Sequence, residues 1–171
     1  MALAIISELD LAVADAERIE SLRRRHDPQH AIVAPHFTLV FPVEGPDQAA
    51  VEAHAETVAA RASPFGFRLQ QLAAMQDPLG PLSRLFLLPG TGRAELIALH
   101  GALYAGPLAA HLRTDISYAP HVTVGAFPTL DRARAALVEI GALDIAGRVS
   151  NFDLVAFDGR SVQRLRRFAL D

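Results

Sequence analysis

The sequence predicts an α+β fold of two pseudo-symmetric lobes, each an antiparallel β-sheet with helices on its outer face, facing each other across a groove. Two observations carry that expectation. The pattern Pro-His-x-Thr occurs twice, and its histidines, His36 and His121, stand 85 residues apart. Around each copy the residues give the same order: strand, helix, Pro-His-x-Thr strand ending in Phe-Pro, helix, strand. A repeat of element order at a fixed offset marks an internal duplication. Pseudo-repeats are therefore expected over about 2–73 and 82–171 of one domain covering 1–171.

Residues 2–9 are aliphatic and β-branched enough for a buried strand. Asp15 then offers an N-cap for a helix to about Arg25, with Ile19 and Leu22 inward, and Pro28 ends it. Residues 36–41 alternate as a strand that Pro42 stops, and Asp47 opens a helix with Val51, Ala55, Val58 and Ala62 as its apolar stripe. Strands follow at about 65–73 and 82–88. After Pro89-Gly90-Thr91-Gly92, a helix runs to about Tyr104 with Leu96, Leu99 and Leu103 at helical spacing. Residues 121–127 form the second motif strand, Pro128 ends it, and Thr129 or Asp131 caps a helix to about Ile140. Strands at about 148–157 and 161–170 meet at the tight-turn dipeptide Asp158-Gly159.

At 171 residues the chain is long enough for a self-sufficient core. With 51% hydrophobic and 20% charged residues it is too apolar to be disordered, and it lacks a run long enough for a membrane span. The absence of cysteine excludes disulfides, thiolate metal sites and cysteine nucleophiles. All 16 basic side chains are arginine, which removes the lysine Schiff base and the P-loop lysine as options. A net charge of -3 gives no large basic surface for long nucleic acid. The first residues lack a basic segment and a long apolar stretch, so a cytoplasmic location is expected. The expected state is a monomer without cofactor or metal.

The first motif reads Pro35-His36-Phe37-Thr38-Leu39-Val40-Phe41-Pro42, and the second Pro120-His121-Val122-Thr123-Val124-Gly125-Ala126-Phe127-Pro128. Composition alone would give about 0.016 matches to Pro-His-x-Thr in a chain like this. Side chains alternate along a strand, so His36 and Thr38 share one face while Phe37, Leu39 and Phe41 take the other. In the second copy His121 and Thr123 share a face with Gly125, whose missing side chain leaves room for a ligand or a bulge. Two opposed imidazoles suit a displacement in which one proton is removed from a nucleophile and another delivered to a leaving oxygen. Two threonine hydroxyls can donate to the non-bridging oxygens of a phosphate between them.

This pattern resembles the two-histidine (2H) phosphoesterase superfamily, which includes 2'-5' RNA ligase-like proteins and 2',3'-cyclic phosphodiesterases. The resemblance implies catalytic roles for His36 and His121 and phosphate-binding roles for Thr38 and Thr123. It further implies His121 as the water-activating base and His36 as the acid. The implied reaction is the opening of a 2',3'-cyclic phosphate or a related nucleotide phosphoester, with 2'-5' RNA ligation within the family's range. The implied partner is a nucleotide, cyclic-phosphate or RNA-end substrate. A binding module on the same fold, holding such a ligand without turning it over, is the alternative of a different class.

Other features carry plainer readings. Tyr118, just before the second motif, could stack on a base or pack against its loop, and Arg84 is a candidate phosphate contact or a structural ion pair. His26 and His30 have the spacing of helical metal ligands, but Pro28 stands between them. Pro89-Gly90-Thr91-Gly92-Arg93 lacks Gly-Lys-Ser/Thr and reads as a strand-to-helix turn. Arg23-Arg24-Arg25 reads as a solvated helix end whose charge complements the dipole.

Overall fold

The structure, a computed structural model, describes residues 1–78 and 80–171. Its elements are β1 (Ala2–Glu8), β2 (Asp10–Leu11), α1 (Val13–His26), β3 (His36–Val43), α2 (Gln48–Ala59), β4 (Phe65–Gln76), β5 (Ser83–Pro89) and α3 (Arg93–Leu103). A 3-10 helix (Gly106–His111) follows, then β6 (Val122–Phe127), α4 (Leu130–Ile140), β7 (Ile145–Val149), β8 (Asn151–Phe157) and β9 (Val162–Ala169). They build two antiparallel sheets: a first of four strands in the order β3-β1-β8-β9, and a second of five in the order β2-β7-β4-β5-β6.

The two sheets do not divide the chain at its middle. From the first half, β2 and β4 join the second sheet; from the second half, β8 and β9 join the first. Helices cross over as well, α1 packing on β6 and α3 on β3. The reason lies in the apolar faces. Leu3, Ile5, Phe37, Leu39, Phe152 and Leu154 of the first sheet and Phe67, Leu69, Leu85, Leu87, Val122 and Val124 of the second belong to one continuous buried cluster. Both halves of the chain contribute to that cluster and to each sheet.

The stretch read as one strand over 148–157 is two, because the chain leaves the second sheet at Val149 and enters the first at Asn151. Ser150 between them accepts the backbone N–H of Leu170. Nothing in the residue types marks that change of partner. Helix α1 starts earlier than expected, with Ala12 at the cap position and Asp15 in the first turn. Asp47 and Thr129 do cap their helices, accepting the N–H groups of Ala50 and Arg132. The turn into α3 needs Gly92, whose φ is +82° and whose missing Cβ would lie 2.7 Å from the carbonyl oxygen of Gly66.

Candidate active site

The motif strands β3 and β6 each lie at the edge of their own sheet and approach one another, so the two Pro-His-x-Thr segments are neighbours in space. The alternation expected for them is present. Phe37 and Leu39 are fully buried, as are Val122 and Val124, while His36, Thr38, His121 and Thr123 are only partly covered. In register, Thr38 lies across from Ile6 and His36 across from Glu8, while Thr123 lies across from Phe86.

Both imidazoles are held by the same device. His36 Nδ1 is 2.8 Å from the carbonyl oxygen of Ala34, and His121 Nδ1 is 2.7 Å from that of Ala119. The carbonyl can only accept, so each Nδ1 carries the proton and donates it, leaving Nε2 unprotonated in the neutral ring. The motif's proline explains the geometry: its ring fixes φ and keeps the alanine before it extended. The carbonyl two residues back is thus turned toward the imidazole. Sequence reading missed the latch, although Ala-Pro-His stands in both copies and would have marked it.

The charges around the rings differ. Burial holds His36 below its ordinary value of 6.5; the bond to Ala34 works against this, the charges of Arg23 and His121 add to it, and Asp27 opposes it. Burial also lowers His121, opposed by the bond to Ala119 and by the negative charge of Asp77. His36 therefore lies near both charges of the Arg23–Asp27 pair, and His121 near the carboxylate of Asp77.

Arg23 is not the solvated helix end that the arginine run suggested. It is 2% exposed and donates from Nε to Asp27 Oδ2 at 3.0 Å, with that carboxylate 1% exposed. Removing one partner of such a buried pair typically costs about 3–5 kcal/mol, because the other charge is left uncompensated. Arg25, by contrast, pairs with Glu139 at the surface.

Arg84 Nε donates to Asp77 Oδ2 at 2.9 Å, and both side chains are largely covered. The same carboxylate that acts on His121 therefore holds this arginine. Tyr118 is taken up in packing. Its Oη donates to the carbonyl oxygen of Thr38 at 2.9 Å, and its ring lies flat on His100 with centroids 3.7 Å apart. His100 Nδ1 in turn reaches the carbonyl of Leu39 at 2.8 Å, and Tyr104 Oη accepts the N–H of Phe41 at 3.1 Å. Three side chains thus cover backbone groups of an edge strand that would otherwise lack partners. Because Tyr118 and Ala119 are neighbours, the segment that latches His121 is bolted to the strand that carries Thr38.

Gly125 makes no room for a ligand. A Cβ there would lie 2.7 Å from the ring of Phe127 and 3.2 Å from His26 Cβ, so the space is used by the packing of α1 on β6. A register shift in the β5–β6 pairing lies beside it. The His26 ring rests against Phe127, and His30 Nδ1 is 3.0 Å from the Asp27 carbonyl. Among the described residues no group of three or more His, Asp or Glu is arranged to hold a metal ion. No helix among them is long and apolar enough to cross a membrane.

Two antiparallel sheets that each bring a His-x-Thr strand end to a shared groove define the two-histidine phosphoesterase class. Residues 11–161 match the family model of the 2'-5' RNA ligase superfamily, and the chain belongs to that superfamily. A Bacillus pumilus (strain SAFR-032) protein named "Putative phosphoesterase" is 32% identical over 106 residues, which cover 61% of this chain and 58% of the relative. The match thus spans little more than half the length of that relative. Among solved structures, Escherichia coli LigT complexed with NADP+ superposes with a TM-score of 0.59 at 24% identity, covering 99% of this chain and 97% of LigT. Kluyveromyces marxianus Usb1 gives a TM-score of 0.61 at 13% identity over 98% and 97% of the two chains. At these identities both likenesses speak for the fold.

Proposed function

We propose that the protein is a metal-independent phosphodiesterase that opens a 2',3'-cyclic phosphate, or a closely related nucleotide phosphoester, by general acid–base catalysis between His36 and His121. The observation that carries this reading is the duplicated latch: each imidazole is tied through Nδ1 to a carbonyl two residues back, which leaves Nε2 for the substrate. LigT, which shares the fold, has been crystallised with 3'-AMP and with ATP, and that supports a nucleotide in the groove.

In this reading water attacks phosphorus while one Nε2 takes its proton. The bond from phosphorus to the leaving ribose oxygen breaks, and that oxygen takes a proton from the other Nε2–H. Thr38 and Thr123 donate to the non-bridging oxygens, where charge accumulates. The charged neighbours favour a definite division of labour. Burial and the charge of Arg23 disfavour an imidazolium at His36 against the opposing pull of Asp27, which suits the base, and Asp77 favours one at His121, which suits the acid. This reverses the assignment that the family resemblance implies.

The test is hydrolysis of 2',3'-cyclic nucleotides with EDTA present. His36→Ala and His121→Ala should each lower turnover by about 10²–10⁴-fold, and the double variant should lose little more, since both groups serve one displacement. Full activity in either single variant defeats the acid–base reading and leaves the binding module in its place. Loss of wild-type turnover in EDTA, restored by metal, defeats the metal-independent part.

A further inference from the structure

A phosphoester held between the two motifs carries an organic group that must run along one of the groove's walls, and the two walls differ. On the first sheet, the strip Ala4, Ile6 and Val155 facing the groove is already covered by Val33 from the segment after α1 and by Val162. Beside it, Glu8, Asp153, Arg164 and Arg167 bind one another: Arg167 Nη2 lies 2.7 Å from Asp153 and 2.9 Å from Glu8, and Arg164 lies 3.0 Å from each acid. That wall has its apolar surface covered and its charges matched. Further along, between α1 and the residues before His36, a cleft of about 740 Å³ is lined by Glu8, Glu17, Glu20 and Arg24, with Glu8 also held by Arg164 and Arg167 and Glu20 3.8 Å from Arg23.

The wall of the second sheet is open. Register puts Phe86 across from Thr123 and Ala73 across from Phe86; on the same face Met75 lies across from Arg84 and Leu88 across from Gln71. None of Ala73, Met75, Phe86 and Leu88 belongs to either core cluster among the described residues, and Met75 is 48% exposed. The Phe86 ring lies 4.0 Å from that of His121, so this surface is continuous with the site. Phe86 and Ala73 lie one and two strand spacings from Thr123, roughly 5 and 10 Å. That is the reach of a nucleoside anchored by its phosphate. A flat apolar surface with an aromatic ring accepts the π-face of any base, and a methionine sulfur adds favourable contact with an aromatic ring.

We infer that Ala73, Met75, Phe86 and Leu88 form a nucleobase subsite, with Gln71 and Arg84 at its rim, so that the substrate is a nucleoside phosphoester whose base lies on the second sheet. This rests on the phosphodiesterase reading. The experiment compares kcat/KM for 2',3'-cyclic AMP with that for glycerol 1,2-cyclic phosphate, which has the same strained ring and no base. The wild type should prefer the nucleotide, mainly through KM. Met75→Ala and the length-preserving Met75→Gln should each reduce that preference by about tenfold. Val162→Ala, on the opposite wall, should leave the preference in place. Absence of a preference in the wild type overturns the subsite. So does a preference that survives both Met75 variants, or one lost in Val162→Ala or Glu17→Ala instead. If neither ester is hydrolysed, the catalytic reading fails and binding decides the subsite. Adenosine 2'-phosphate must then bind more tightly than inorganic phosphate and lose that advantage in Met75→Ala; equal affinities overturn the subsite.

Discussion

His36 opens β3 and His121 immediately precedes β6, and each ring is latched by a carbonyl two residues back. Their surroundings are not equivalent. A buried Arg23–Asp27 pair stands near His36, and an Asp77–Arg84 pair, with the carboxylate acting on the imidazole, stands near His121. The two motifs share one backbone device and differ in the packing around it. A displacement needs such a difference, because one group must begin with a proton and the other without.

The largest effect that can break this comparison is chemical rescue. A substrate with a far better leaving group should restore most of the 10²–10⁴-fold loss in His121→Ala and little of that in His36→Ala. Rescue of His36→Ala alone would reverse the roles. Single-turnover rates on a cyclic nucleotide and on an aryl phosphodiester measure it.

Next is Tyr118→Phe, which keeps the ring on His100 and removes the donor to the Thr38 carbonyl. Turnover should fall by about tenfold, and by much less when Thr38 is already alanine, since coupled residues are not additive. A loss of equal size in both backgrounds would mean that Tyr118 acts elsewhere.

Burial lowers both His36 and His121 from 6.5, so if they are the proposed base and acid the optimum of kcat/KM, which reports the free enzyme, should be acidic. Its rising limb follows deprotonation of His36 and its falling limb deprotonation of His121. Asp77→Asn removes the charge that raises His121, so the falling limb should move to lower pH while the rising limb stays. Movement of the rising limb alone would refute the pairing of Asp77 with His121.

The smallest effect is on stability. His36 and His100 are held neutral in the fold by burial, so below about 6.5 the unfolded chain binds more protons than the folded one. Stability from these groups is present above 6.5 and is lost as pH falls through their lowered values. Tm should therefore decrease between pH 6.5 and 5, and less steeply in His100→Gln. An unchanged slope would show that His100 does not contribute.

Much of this was legible in the residues. The paired motifs, the alternation that turns His36, Thr38, His121 and Thr123 to the groove, and the caps at Asp47 and Thr129 depend on neighbours along the chain. The missed features depend on neighbours across it. That β4 would pair with β5 and β7, and that β8 would leave β7 for β1, follows from which apolar faces can be closed together, and no local pattern encodes it. Arg23 looked solvated because it stands in an arginine run at a helix end, while its side chain is buried against Asp27. Gly125 looked like space for a ligand because neither the turn of the Phe127 ring back over it nor the approach of His26 from α1 shows in the residue types.

The exchange of strands between the sheets has a consequence for synthesis. Strand β1 leaves the ribosome long before β8, and it needs both β3 and β8 as partners. At translation rates of about 5–20 residues per second, roughly 7–30 s separate the appearance of β1 from that of β8. Throughout that interval one edge of a strongly apolar strand waits without its partner, and a chain stalled there exposes a template for association with its neighbours. Elongation speed and chaperone capture thus bear on this protein's yield more than its modest length would suggest.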